Sequence, residues 1–178
     1  GSTMEGGMRV PMIVRWPGKI PAGTTSTELA TMMDLLPTFC ALTGATLPPK
    51  KLDGSDISGI LLGTADAKSQ YEALYYYRRR QLQAIRYGDW KYHLPLNVTH
   101  PNWTSAKQSG PGRSGKLVNL KSDLQERTDV SAAHPEVIKR MEELLKTAVM
   151  TLGNDEVRGG QQRDARTLDS SKPLTLKE

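Results

Sequence analysis

Three histidines, one cysteine and one acidic loop are the groups in this 178-residue chain whose chemistry could matter. His93 falls in a strand-like stretch, His100 in a polar loop beside Trp103, and His134 just ahead of a helical pattern. No serine or aspartate stands at a spacing that makes a hydrolytic triad with any of them. His100, within "NVTHPNWTS", is best placed to touch a substrate, because long loops often carry binding residues. An ordinary loop histidine is the competing reading. His134 reads as a helix-start residue. Cys40 sits in an apolar helical pattern and reads as a small buried side chain, not a reactive thiol. A single cysteine excludes an internal disulfide, and no Cys/His set has zinc spacing. Asp53-Gly54-Ser55-Asp56 looks like half a calcium loop, but lacks the alternating oxygen ligands and distal glutamate of an EF-hand. It reads as a structural turn. Gly6-Gly7 permits positive φ and close backbone approach, and Glu5 and Arg9 can pair around it. Asn97-Val98-Thr99 and Asn102-Trp103-Thr104 match the glycosylation sequon, which acts only in a eukaryotic secretory setting.

The bulk numbers narrow the class. A hydrophobic content of 37% with a mean hydropathy of −0.50 fits a rather polar globular chain, and its length suffices for one domain or a domain plus a subdomain. Its longest apolar runs are far too short to span a bilayer, so a membrane partner is not expected. The net charge of +5 raises the question of nucleic acid. Against it, the basic residues are scattered, and the one tight cluster, Arg78-Arg79-Arg80 after Tyr75-Tyr76-Tyr77, reads as a solvated strand end.

Stepping along the chain gives the elements. Residues 8–16 alternate as a strand, with Val10, Met12, Val14 and Trp16 on one face and Pro11 confined to its start or edge. Trp16-Pro17-Gly18 ends it. Asp34 can cap a short helix, with Pro37 in its first turn, an apolar face of Leu35, Leu36, Phe39, Cys40 and Leu42, and Gly44 as C-cap. A loop over 44–56 leads to a second short helix, Ile57 to Leu62. Beyond a composition shift near 64–70, "ALYYYRR", "LQAIRY", "WKYHLPL" and "KLVNL" read as four strands of a small antiparallel sheet. Gly88-Asp89 marks a hairpin, and 97–115 reads as a polar loop. Pro135 opens the clearest helix, with an apolar stripe from Val137 to Leu152 and Gly153 at its end. That stripe suits a helix lying on a sheet. From Asn154 onward the pattern is that of a polar tail or arm.

Taken in order, several of these segments carry a family resemblance. "EGGMRVPMIVRWPG", the run Asp34 to Thr38, and Asp53-Gly54 resemble the distal part of a type I sulfatase of the arylsulfatase family, within the alkaline-phosphatase-like superfamily. "LQAIRYGDWKYHL" and "KLVNLKSDLQERTDVSAAHPEVIKRMEELL" are similar to that family's closing hairpin and final helix. The likeness covers roughly residues 3–153. Ser122-Asp123-Leu124 departs from the family's usual Asp-Pro pair, and Asp129-Val130 from its usual Asn followed by Leu or Val.

The resemblance implies a fold of α/β class, α+β as a fragment. Residues 1–66 would be the distal part of the large domain, contributing its last strand and helix. Residues 67–153 would form a C-terminal subdomain of antiparallel sheet packed on a helix, and 154–178 a polar tail. It also implies a parent that hydrolyses sulfate esters on a sulfated substrate, with a formylglycine nucleophile and calcium, in a periplasmic, secreted or lysosomal setting. No Cys/Ser-x-Pro-x-Arg motif stands in the chain, since Cys40 is followed by Ala-Leu-Thr. The nucleophile, the calcium ligands and the sulfate-binding lysine of the family are expected outside these residues. The chain alone is therefore expected to be inactive, with no cofactor or metal of its own. In the family the Glu-Gly-Gly turn lies beside the sulfate pocket, so Thr3, Glu5 and Arg9 join His100 and Trp103 as pocket-adjacent candidates. Equally, Glu5 and Arg9 could only brace the backbone. The alternative is a stand-alone, non-catalytic binding protein on a sulfatase-derived scaffold, holding an acidic polysaccharide. An unpaired strand at 8–16 would also favour self-association through its edge.

Overall fold

The computed structural model describes residues 2–99 and 110–164. Its centre is a four-stranded antiparallel sheet formed by β1 (Ala73–Arg78), β2 (Gln81–Tyr87), β3 (Trp90–His93) and β6 (Lys116–Asn119), in the order β1-β2-β3-β6. These are the four strands that the alternating pattern predicts. Gly88 takes φ 57° in the β2–β3 turn, a conformation that suits glycine. A bulge between Tyr76 and Tyr77 breaks the β1–β2 register, so that Tyr76 faces Ala84 and Tyr77 faces Leu82, with Gln83 left between. A second, two-stranded sheet joins β4 (Leu96–Thr99) to β5 (Gly110–Arg113). Both strands lie in or beside the stretch read as a polar loop. Gly110, Pro111 and Gly112 carry no strand propensity, so pairing with β4 overrides local preference there.

The helix α4 (Pro135–Leu152) lies across one face of the four-stranded sheet, as its apolar stripe requires. Leu82, Ile85, Tyr92 and Leu117 from the sheet meet Met141, Leu144 and Leu145 from the helix in the buried core. Tyr75 and Tyr77 also lean on this face, and the Tyr77 hydroxyl donates to the Gly153 carbonyl at 2.7 Å. His134 sits at the helix start and packs against Trp90 with the rings tilted by 52° and their centroids 4.6 Å apart. Beyond α4 the chain folds back: Gly160 and Gln161 donate to the Met150 and Thr151 carbonyls, and the Arg163 guanidinium reaches the Lys51 carbonyl at 2.7 Å.

The N-terminal third differs from expectation in three respects. The strand predicted over 8–16 does not form: Met8 ends a single helical turn, α1 (Glu5–Met8), and residues 9–16 run without a ladder partner. A strand needs a neighbour to satisfy its backbone groups, and no described segment lies alongside. Asp34 is fully buried, but it does not cap α2 (Leu35–Thr43) through its side chain. It closes a capping box with Thr31 one turn earlier, ahead of a 3-10 turn over Met32–Asp34. Leu36 and Phe39, read as part of the helix's apolar face, are exposed, whereas Pro37, Thr38 and Cys40 are buried. Gly44 ends the helix at φ 72° as predicted, and α3 (Ser58–Leu61) forms where the second short helix was expected. Among the described residues no helix is long and apolar enough to cross a membrane.

Candidate functional site

Strand alternation puts Lys91 and His93 on the face of β3 opposite Tyr92, and hence away from α4. That second face is not solvated. The turn α1 and the loop residue Glu126 cover it, and together they enclose a cluster of charged side chains. Lys91 has no solvent exposure at all, and Glu5, His93 and Glu126 are nearly as deeply buried. The Lys91 ammonium lies 2.8 Å from Glu5 Oε1 and 3.0 Å from Glu126 Oε1, and 4.2 Å above the Tyr76 ring centroid. The Tyr76 hydroxyl donates to Glu5 Oε1 at 3.2 Å. Burial drives the Tyr76 phenol far above its usual range, so it serves as a donor and does not ionise.

Glu126 ties three segments together. Its Oε2 accepts the backbone N–H of Glu5 at 2.6 Å, its Oε1 pairs with His93 Nε2 at 2.7 Å, and its carbonyl accepts from the Lys116 ammonium. Burial acts to raise its pKa. The bonds from Glu5, Lys91 and His93 outweigh that and hold it below the ordinary carboxylate value. Burial acts the other way on His93, whose pKa is lowered despite Glu126, with Lys91 and Arg113 adding to the effect. With the imidazole neutral, His93 Nε2–H donates to Glu126 Oε1, and its Nδ1 is buried without a hydrogen-bond partner among the described residues. The bulge delivers Gln83 to the margin of this cluster. Its side chain accepts from Thr3 Oγ1 at 3.1 Å and its carbonyl from Arg113 Nη2 at 2.6 Å.

Of the pocket-adjacent candidates, Thr3 and Glu5 are buried in this cluster, but Arg9 is not. Arg9 is exposed and forms no ion pair with Glu5; only its backbone N–H reaches the Glu5 carbonyl, at 2.8 Å. The reason is competition, since Lys91 and Tyr76 already occupy the Glu5 carboxylate from inside. Neither Gly6 nor Gly7 takes positive φ. Gly7 is required for close approach, because a Cβ there would lie 2.6 Å from the Ser2 carbonyl oxygen. His100, Trp103 and Asn102 lie outside the described residues. Lys91 and Glu126 are the residues that sequence reasoning missed, and His93 was placed in its strand without its partners. In "WKYH" the alternation was visible, but nothing local said that the polar face would be covered.

A second network fixes the Asp-Gly loop. Asp34 accepts from the Thr31 N–H at 2.6 Å, the Ser55 N–H at 2.8 Å and the Tyr71 hydroxyl at 2.6 Å. Thr38 Oγ1 donates to the Asp34 carbonyl and accepts from the Ile57 N–H, tying α2 to α3. Gly54 packs so tightly on Met33 that a Cβ would fall 2.0 Å from its carbonyl oxygen. Asp56 turns back onto Ser58. The loop is a structural turn. Cys40 is buried in α2, and among the described residues no three His, Cys, Asp or Glu side chains could hold a metal ion. Neither a formylglycine nor a calcium site fits these residues.

The fold and the buried cluster meet a known family at this point. A family model described as N-sulphoglucosamine sulphohydrolase, C-terminal, matches residues 3–150, and the chain belongs to that family of sulfatase C-terminal portions. Human arylsulfatase A is 36% identical over 182 residues, covering 90% of this chain and 35% of its own length. Mouse arylsulfatase G is 52% identical over a shorter stretch of 63 residues, covering 35% of this chain and 12% of its own length. Among solved structures, a sulfatase reported with the metabolism of multiple glycosaminoglycans by Bacteroides thetaiotaomicron superposes with a TM-score of 0.64 at 31% identity. That match covers 81% of this chain and 30% of the other. The α/β, alkaline-phosphatase-like class expected from the sequence is the class of these neighbours. The chain spans about a third of the length of the relatives that match most of it.

Proposed function

We propose that this chain is the C-terminal portion of a sulfuric-ester hydrolase whose nucleophile and calcium ligands lie outside its 178 residues. The docking of the Glu5–Met8 turn onto the charged face of the C-terminal sheet, through Lys91 and Glu126, is the observation that carries this reading. It unites the family's Glu-Gly-Gly turn with its closing hairpin into one rigid wall. In the whole enzyme the wall would border the cleft for a sulfated substrate, and the family's formylglycine nucleophile and calcium would be supplied from outside these residues. Residues 1–66 then belong to the large domain and 67–153 to the subdomain that shapes the cleft. Two measurements test the reading. The full coding sequence, expressed whole, should contain a Cys/Ser-x-Pro-x-Arg motif and turn over an aryl sulfate with calcium. The purified chain alone should show no turnover. A full coding sequence without that motif, or turnover by the chain that survives repurification, overturns the assignment.

The exposed run over 9–16 supports a related reading. Val10, Met12, Ile13, Val14 and Trp16 are all exposed and apolar, which suits a segment that another part of the protein covers. In the isolated chain the same run would drive self-association.

A further inference from the structure

We propose that Glu126 is a positioning residue of the sulfatase site, holding the Glu5–Met8 turn in register with the pocket. The role rests on the sulfatase reading above and names a residue that the family motif at the turn does not contain. Three features of Glu126 point to it. Its side chain bridges segments far apart in sequence, taking the Glu5 N–H on one oxygen and both Lys91 and His93 on the other. Its backbone sits at φ 56°, a region that a glutamate adopts only when its surroundings over-determine it. Its carboxylate is almost wholly shielded from water, so those bonds are not shared with solvent.

The geometry makes the turn dependent on this one carboxylate. Glu5 is held twice, by its side chain on Lys91 and Tyr76 and by its N–H on Glu126. The N–H of Glu5 is one of the first, unpaired donors of α1, so Glu126 anchors the turn at its entry. The same carboxylate draws the Lys91 ammonium to a point between itself and Glu5. Removing the Glu126 charge leaves Lys91 with Glu5 alone and frees the turn's leading N–H. The turn is then free to shift, and a misplacement of about 1 Å can reduce turnover about a hundredfold even when the altered residue never touches substrate.

The test uses the full-length polypeptide that carries this chain, assayed with an aryl sulfate and with inorganic sulfate as competing product. Glu126→Gln should lower kcat/KM about tenfold or more and weaken inhibition by inorganic sulfate, measured on folded protein of verified melting temperature. Glu126→Asp, which keeps the charge one methylene shorter, should recover part of both. Where Glu126→Gln does not fold, Glu126→Asp alone carries the test, with a smaller loss of the same two quantities expected. Wild-type values for kcat/KM and sulfate inhibition in the folded variants overturn the positioning role and leave the sulfatase reading intact. Losses that merely track the amount of folded protein, with unchanged sulfate inhibition, also overturn it. No turnover by the unsubstituted polypeptide overturns the sulfatase reading, and the positioning role with it.

Discussion

The Lys91 ammonium and the Glu5 carboxylate, 86 positions apart in sequence, meet at 2.8 Å in a place without solvent. Glu126 shares that ammonium, so two buried carboxylates depend on one cation. Breaking a buried pair by removing one partner typically costs about 3–5 kcal/mol, because the remaining charge is left uncompensated. Lys91→Met should therefore take much of the chain's net stability, which for a domain is about 5–15 kcal/mol. A urea melt measures it. The triple variant Glu5→Gln/Lys91→Met/Glu126→Gln, which removes all three charges, should recover a large part of the loss. A loss below about 1 kcal/mol for Lys91→Met would mean that the pair behaves as an exposed one.

Acidification should destabilise the fold in two steps of the same sign. His93 has a folded pKa below its unfolded value of about 6.5. Above that pH both states are neutral there. As pH falls below it, the unfolded chain takes up a proton that the folded chain refuses, so stability declines until the folded-state value is passed. Glu126 is also depressed, so its contribution is present above its unfolded value of about 4.3 and is lost as pH falls through its folded value. Urea midpoints between about pH 7.5 and 5 should fall with His93 intact and flatten in His93→Gln. A midpoint that rises on acidification in the parent chain would contradict the buried neutral imidazole.

Much of this architecture was legible because it is written in local pattern. The stripe of α4, the Gly88-Asp89 hairpin and the four alternating strands each declare themselves within a short window. The charged face of the sheet did not. Lys91 and His93 stand where an antiparallel strand normally shows its solvent side, and their partners lie 86 and 33 positions away. Glu126 gave no signal at all, since a turn glutamate at positive φ looks like any other surface residue. The strand expected at 8–16 shows the opposite failure. Its alternation was plain, but a strand forms only beside a partner, and the described chain supplies none.

Gly54 and Gly6 should behave differently although both sit in family-like motifs. At Gly54 a methyl group would fall 2.0 Å from the Met33 carbonyl oxygen and 2.7 Å from the Asp34 nitrogen, both of them backbone atoms. Gly54→Ala should push the loop off the Met32–Asp34 turn, cost about 1–3 kcal/mol, and speed hydrogen exchange at the Ser55 amide that Asp34 now holds. Gly6→Ala meets nothing within 4 Å and has no positive φ, so its stability should match the parent chain. Equal effects at the two positions would reject the close-approach account.

Tyr71 supplies the same loop with its third anchor. Burial first, and then its bond to Asp34, push its phenol up to about 12, so the hydroxyl stays protonated and donates across the physiological range. Tyr71→Phe removes a 2.6 Å donor from a fully buried carboxylate that keeps the Thr31 and Ser55 N–H groups. Hydrogen bonds to charged groups contribute about 1.5–3 kcal/mol, and a melt of the variant should show a loss in that range. A neutral result would mean that water replaces the hydroxyl at Asp34.

The apolar run over 9–16 should govern the association state of the isolated chain. Ile13 is 94% exposed and Val10 71%, on a segment whose backbone groups have no ladder partner among the described residues. Apolar surface removed from water contributes roughly 25 cal/mol per Å², and free strand-forming backbone offers a template for pairing. Sedimentation equilibrium should therefore show the chain associating as its concentration rises. Val10→Lys with Ile13→Lys should shift it toward monomer without changing its melting temperature, because neither side chain packs in the core. Lysine at both positions opposes association twice over, by removing apolar area and by placing like charges along the edge. A parent chain that stays monomeric at every concentration, or a doubly substituted chain that associates as strongly as the parent, would rule out this segment as the adhesive surface.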